Sequence, residues 1–154
     1  MHANSGRSCR PQKAKPFIVT GVVAIVAGGL LAAAFAHQAS RPLMWAVAYL
    51  VLVVGVVQYL LGMALPALRP DAFWNGARWL CLNLGHAAVM AGSLLPLFGC
   101  LVLGTALYDI AMLWIAATLW RGLGPGWRRI AYTGLCALMG LSSLIGVFLS
   151  AQTV

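Results

Sequence analysis

Residues 79 to 120, WLCLNLGHAAVMAGSLLPLFGCLVLGTALYDIAMLWIAATLW, contain a single formally charged side chain, Asp109, in 42 residues. One unbroken helix of that length would measure about 60 Å, roughly twice the hydrocarbon thickness of a bilayer. Two antiparallel spans joined by almost no loop satisfy both the length and the apolar character. Pro96 weakens helix around it, and Gly99 and Gly104 release the backbone, so the break is expected between Pro96 and Thr105. The sequence therefore predicts an all-α, polytopic transmembrane helix bundle.

The rest of the chain agrees. Of 154 residues, 62% are hydrophobic and 8% charged, whereas a soluble domain carries about 25% charged residues. Apolar runs predict spans at about 17–36, 43–65, 79–98, 105–120 and 130–149, with a basic arm at 1–16 and a short tail at 150–154. The basic arm, the apolar run and Ala34-Phe35-Ala36 before His37 also resemble a cleavable leader, whose removal at residue 36 would leave four spans. The apolar core exceeds the ~7–15 residues of a leader, which favours a retained span. Alternating ten-residue segments, the mark of a transmembrane barrel, do not recur.

Ten Lys and Arg against two acids give a formal charge of +8. These charges fall in short segments between apolar runs rather than on a polar basic surface, so nucleic acid is not an expected partner. They read instead as topology signals beside anionic lipid. With the N-terminus in the cytoplasm, five spans put nine of the ten basic residues on that side and leave only Arg41 outside. Treating residues 79–120 as one span would divide them six against four. The charge bias selects five spans, with an external C-terminus. Together with the Ala-, Gly-, Leu- and Arg-rich composition, it suits a bacterial cytoplasmic (inner) membrane.

Polar residues inside the spans are the candidates for chemistry, because each is costly to leave in lipid. His86 lies roughly 10 Å from the cytoplasmic end of its span, Asn83 sits one turn shallower, and Gln58 in the oppositely running second span reaches a similar depth. Gln58, Asn83 and His86 are expected to form one polar cluster. It can fix helix packing, or handle a solute or proton. Asp109 is predicted about 6–9 Å below the outer end of the fourth span. A later turn would instead place it at the headgroup level or as a helix cap. Arg41, Tyr108 and Gln38 are its expected neighbours. Gly85, Ala88, Gly92 and Gly99 form a small-residue face suited to close helix approach.

No nucleophile–base motif, phosphate loop or metal-binding spacing is present, and Cys9, Cys81, Cys100 and Cys136 form no CxxC pair. No catalytic residue, metal or cofactor is therefore expected. A haem held by His86 is the weaker alternative, since His37 belongs near the opposite membrane face. Three functions fit: a small membrane component assisting transport or assembled into a larger complex, an autonomous solute or proton-coupled transporter using Asp109 and the Gln58–Asn83–His86 cluster, and a redox or quinone-handling subunit using His86. Lipid and either a second copy or another membrane protein are the expected partners.

The charge bias gives a direct test. In a chain lacking its native cysteines, Arg128→Cys should resist a membrane-impermeant thiol reagent in intact cells and react in inverted vesicles. Labelling from outside would reverse the layout.

Overall fold

The computed structural model describes residues 15–38, 40–65, 72–95 and 97–152. The basic arm before Lys15, the loop holding Asp71, and Pro96 itself lie outside these. Five helices make up the described chain: α1 (Lys15–Ala34), α2 (Arg41–Ala64), α3 (Ala72–Leu94), α4 (Phe98–Gly122) and α5 (Trp127–Ala151). α1, α2, α4 and α5 are each long and apolar enough to cross a membrane. At 23 residues α3 is of similar length, but Asn75, Arg78, Asn83 and His86 interrupt its apolar run. The molecule is an all-α apolar bundle of the polytopic membrane type.

Local sequence explains the helix ends. Ser40 is extended before α2, and Pro42 falls in the first turn, where a missing N–H breaks no helical bond. At the far end of α3 the Leu97 N–H donates to the Gly92 carbonyl at 3.0 Å, and the Leu101 N–H then bonds Leu97 to begin α4. Gly126, at φ 152°, adopts a backbone conformation that side chains disfavour and turns the chain into α5.

This start corrects the expected fourth span of 105–120. Gly99 and Gly104 lie within α4 and do not interrupt it. Glycine is tolerated in membrane helices, where intrahelical bonding is the only route to a satisfied backbone.

Small residues set the helix spacing. A Cβ placed on Gly21 would lie 2.7 Å from the backbone nitrogen of Tyr59, and one on Gly28 would lie 2.4 Å from the Val51 side chain. α1 is thus pressed directly onto α2. α3 meets α4 as closely, since a Cβ on Gly85 would fall 2.8 Å from the Tyr108 nitrogen and one on Gly92 would collide with the Leu101 nitrogen. The reciprocal contact is Gly104, whose Cβ would meet Ala88 and Val89. Gly99, expected on the same face, has open space where its side chain would be. The face is therefore Gly85, Ala88 and Gly92 answered by Gly104, with Gly99 turned away.

The middle of α2, Leu50–Val57, is π-helical. Tyr49 and Gln58 flank this stretch. In an α-helix nine residues make about two and a half turns, which would send these two side chains to opposite sides. Turns closed by i→i+5 bonds hold roughly one residue more each, so the same nine residues make about two turns. Both side chains then reach α3.

Packing differs between the two ends of the bundle. Toward the end marked by Arg78, Arg121 and Arg129, here the basic end, Phe17, Leu61, Leu82, Ile115 and Leu119 form a core with no solvent exposure. Arg78 lies over the Trp114 ring at 5.0 Å and Arg129 over Trp120 at 4.3 Å. Such stacking lets a cation sit beside an aromatic ring at the membrane edge. Toward the Arg41 end the helices border a half-open cavity. Around the outside runs a belt of exposed Val, Leu, Ile and Phe, far larger than a water-soluble monomer presents.

Gly85→Ala and Gly92→Ala should each destabilise the protein by about 1–3 kcal/mol, because backbone stands where the methyl must go. Gly99→Ala should be close to neutral. Thermal midpoints of the three variants in one detergent test this ordering.

Candidate functional site

A layer of polar side chains crosses the middle of the bundle. Gln58, fully buried on α2, donates from Nε2 to Asn83 Oδ1 at 3.0 Å and accepts from Asn83 Nδ2 at 3.4 Å. Asn83 also donates to the Trp79 carbonyl at 2.8 Å. Of the three residues expected to cluster, Gln58 and Asn83 pair directly, which satisfies most of both amides. Such a reciprocal amide pair prevents two unpaired donors in a low-dielectric interior.

His86 is one turn further along α3, and its partner is not Gln58. Its Nδ1 lies 3.0 Å from the Tyr49 hydroxyl. Its ring sits edge-on to Tyr49 at 5.7 Å and tilted against Tyr108 at 5.0 Å. The close approach at Gly85 explains the second contact, since it brings Tyr108 against the backbone beside His86. Only 3% of His86 and 2% of Tyr108 are exposed. His86 Nε2 and the Tyr108 hydroxyl are both buried, without a hydrogen-bond partner among the described residues.

Asp109 accepts a hydrogen bond from Ser143 Oγ of α5 at 2.5 Å, and the same hydroxyl lies 2.7 Å from the Gly140 carbonyl. Because α4 begins at Phe98, Asp109 lies about 16 Å along it. That is further from the helix end than the expected 6–9 Å, and it is not a cap position. Ser143, rather than Arg41 or Gln38, is its hydrogen-bond partner. Asp109 and Ser143 thereby tie α4 to α5.

Above this layer, toward the Arg41 end, lies a cavity of about 760 Å³ bounded by α2, α3, α4 and α5. Its walls include Leu52, Val89, Leu101 and Val147, and polar groups come from Arg41, Ser93, Thr105 and Ser142. Tyr49, Tyr108 and Ser143 also line it. With Asp109 bonded to Ser143 and His86 between the tyrosines, the cavity is backed by titratable groups from three helices. A mostly apolar chamber with a few convergent polar groups has the size and character of a small-molecule site. Toward the basic end the core described above closes the bundle.

Three members of this arrangement escaped the sequence reading. Tyr49 lies near the start of the second span, and α-helical periodicity turns it away from Gln58. Tyr108 was assigned only to Asp109. Ser143 was considered as a nucleophile but not as a carboxylate partner, although depth counted from each helix end brings the two within about a turn. Among the described residues no three of His, Cys, Asp and Glu gather as a metal site.

The fold and its buried polar layer define the chain as a polytopic membrane helix bundle. Compared with protein-family models, curated proteins and solved structures, it matches none.

The Gln58–Asn83 pair should show a coupling energy of about 0.6 kcal/mol, and no more than about 1.7, in a Gln58→Leu/Asn83→Leu double-mutant cycle. Reversible unfolding in mixed micelles measures it. A coupling near zero would mean that the two amides do not stabilise the bundle through one another.

Proposed function

We propose that this protein is a small integral membrane component that takes up an amphipathic small molecule within the bilayer and assists its transport. The observation that supports this reading most is the one-sided cavity, about 760 Å³ in volume, above a closed half-bundle and lined at its floor by Tyr49, Tyr108 and Ser143. A structural bundle needs no such chamber, and an ion path would need polar walls along its whole length. Positive-inside bias supports a cytoplasmic basic end, so the cavity faces the exterior of a bacterial inner membrane. The tight seating of Gly21 and Gly28 on α2 supports α1 as a retained helix.

Assembly with a further membrane protein, or a second copy, is the companion reading. α5 buries little of its surface, and Leu138, Leu141, Ile145 and Phe148 remain 54–64% exposed along it. That face can meet lipid or a partner helix. A proton-coupled carrier is the narrower alternative, resting on Asp109 at mid-helix. The redox alternative keeps only His86.

The test is purification in mild detergent followed by extraction and mass analysis of co-purifying small molecules. Ser142→Trp places a large ring in the cavity. The wild-type protein should retain a molecule that this variant loses at least about tenfold, the loss expected when a well-packed contact surface is blocked. In liposomes, flux of that molecule should require the wild-type cavity. Equal retention by a well-folded variant would remove the cavity from the function.

A further inference from the structure

We infer that Arg41, together with Ser93, holds the oxyanion head of an amphiphile whose alkyl chain lies in the cavity. This inference rests on the cavity as a ligand site and specifies the charge of the ligand and the direction in which it lies.

Charge selects the class of ligand. Among the described residues that line the cavity, Arg41 is the only charged side chain. Asp109 does not line it, so the wall offers no carboxylate to a cation. Arg41 is exposed, and neither it nor Ser93 has a side-chain hydrogen-bond or ionic partner among the described residues. A guanidinium presents a fork of N–H donors that fits a carboxylate or a phosphate through two oxygens.

Depth fixes the orientation. Arg41 opens α2, and Tyr49 lies about 12 Å further along it. On α3, Ser93 lies about 10 Å beyond His86, whose Nδ1 meets the Tyr49 hydroxyl. Arg41 and Ser93 therefore stand at one level, the mouth of the cavity, with Tyr49 at its floor. The deeper hydroxyls are already engaged: Tyr49 with His86, Thr105 with the Leu101 carbonyl, and Ser143 with Asp109. The Tyr108 hydroxyl is buried out of reach. An ionic head finds open donors only at the mouth.

The walls receive the rest of the ligand. Leu52, Val53, Val89, Leu101 and Val147 border the half-open chamber and suit an alkyl chain. A depth of about 12 Å is most of one bilayer leaflet, whose hydrocarbon measures about 15 Å. A ligand with its head at Arg41 and its chain directed inward thus keeps the register of the surrounding lipid. Trp45, which lines the same end and is 40% exposed, suits the headgroup level.

Binding of radiolabelled decyl-chain probes to the full chain in phosphatidylcholine nanodiscs tests this, with empty nanodiscs subtracting simple partitioning. Decyl phosphate and decanoate carry the oxyanion, decanol is neutral and decyltrimethylammonium is cationic. At about pH 8 both anions are ionised. At least one of them should bind the wild type about tenfold more tightly than decanol, and the tighter one identifies the head as phosphate or carboxylate. Arg41→Gln should remove that factor and leave decanol unchanged. Arg41→Glu should shift the preference to decyltrimethylammonium. Raising NaCl from about 0.05 M to about 0.5 M should narrow the anion-to-decanol ratio in the unaltered chain, which serves if the variants do not fold. Ser142→Trp should weaken every probe.

Decanol or decyltrimethylammonium binding the wild type as tightly as both anions overturns the head site. So does a well-folded Arg41→Gln that keeps the anion preference, or a ratio that salt does not move. In each case the cavity reading stands if Ser142→Trp still weakens the probes. If no probe binds the wild type, the head site falls, and loss or retention of a co-purifying molecule in Ser142→Trp decides whether the cavity falls with it.

Discussion

The close approach of α3 to α4 is the contact on which the other features depend. At Gly85, Gly92 and Gly104 the two backbones come so near that a methyl group has no room. Helices in lipid gain no hydrophobic energy from meeting, because the tails around them are equally apolar. Their attraction comes from close dispersion contact, which requires the absence of side chains along the seam. That seam also fixes chemistry, since holding Gly85 against Tyr108 brings the neighbouring His86 ring to Tyr108. The packing and the polar layer are therefore parts of one arrangement.

α1 seats on α2 by the same device, and the result is a bundle filled at one end and hollow at the other. In the filled half Leu61, Leu82, Ile115 and Leu119 interdigitate, and the Gln58–Asn83 pair is satisfied internally. In the hollow half α5 is held to α4 partly through Asp109 and Ser143. The polar layer lies where dense packing gives way to cavity. Tyr49, Tyr108 and Ser143 there border the cavity.

Much of the fold was legible in the sequence because lipid leaves the backbone few choices. Apolar length located the helices, while depth counting set Gln58 level with His86, one turn from the Asn83 it pairs with. The errors have distinct physical origins. The glycines at 99 and 104 were read as breakers, which they are in water, whereas one faces open space and the other is a packing surface. That mistake shortened α4 and raised Asp109 too near its end. Tyr49 was illegible for another reason: periodicity arguments assume 3.6 residues per turn throughout, and Leu50–Val57 does not obey it. The cavity was also beyond reach, since a void is a property of how helices lean on one another and no residue pattern announces it.

The π-helical stretch of α2 makes the site sensitive to residue number rather than residue type. Leu50–Val57 is a run of aliphatic residues and one glycine, and most exchanges among Val, Leu and Ile there would preserve its character. Losing a single residue is different. If the shortened segment returned to ordinary α-geometry, Tyr49 would swing away from Gln58 by roughly a quarter of a turn. His86 would lose its hydrogen-bond partner Tyr49 with no polar side chain having been altered. A single-codon deletion here would therefore be more disruptive than many substitutions.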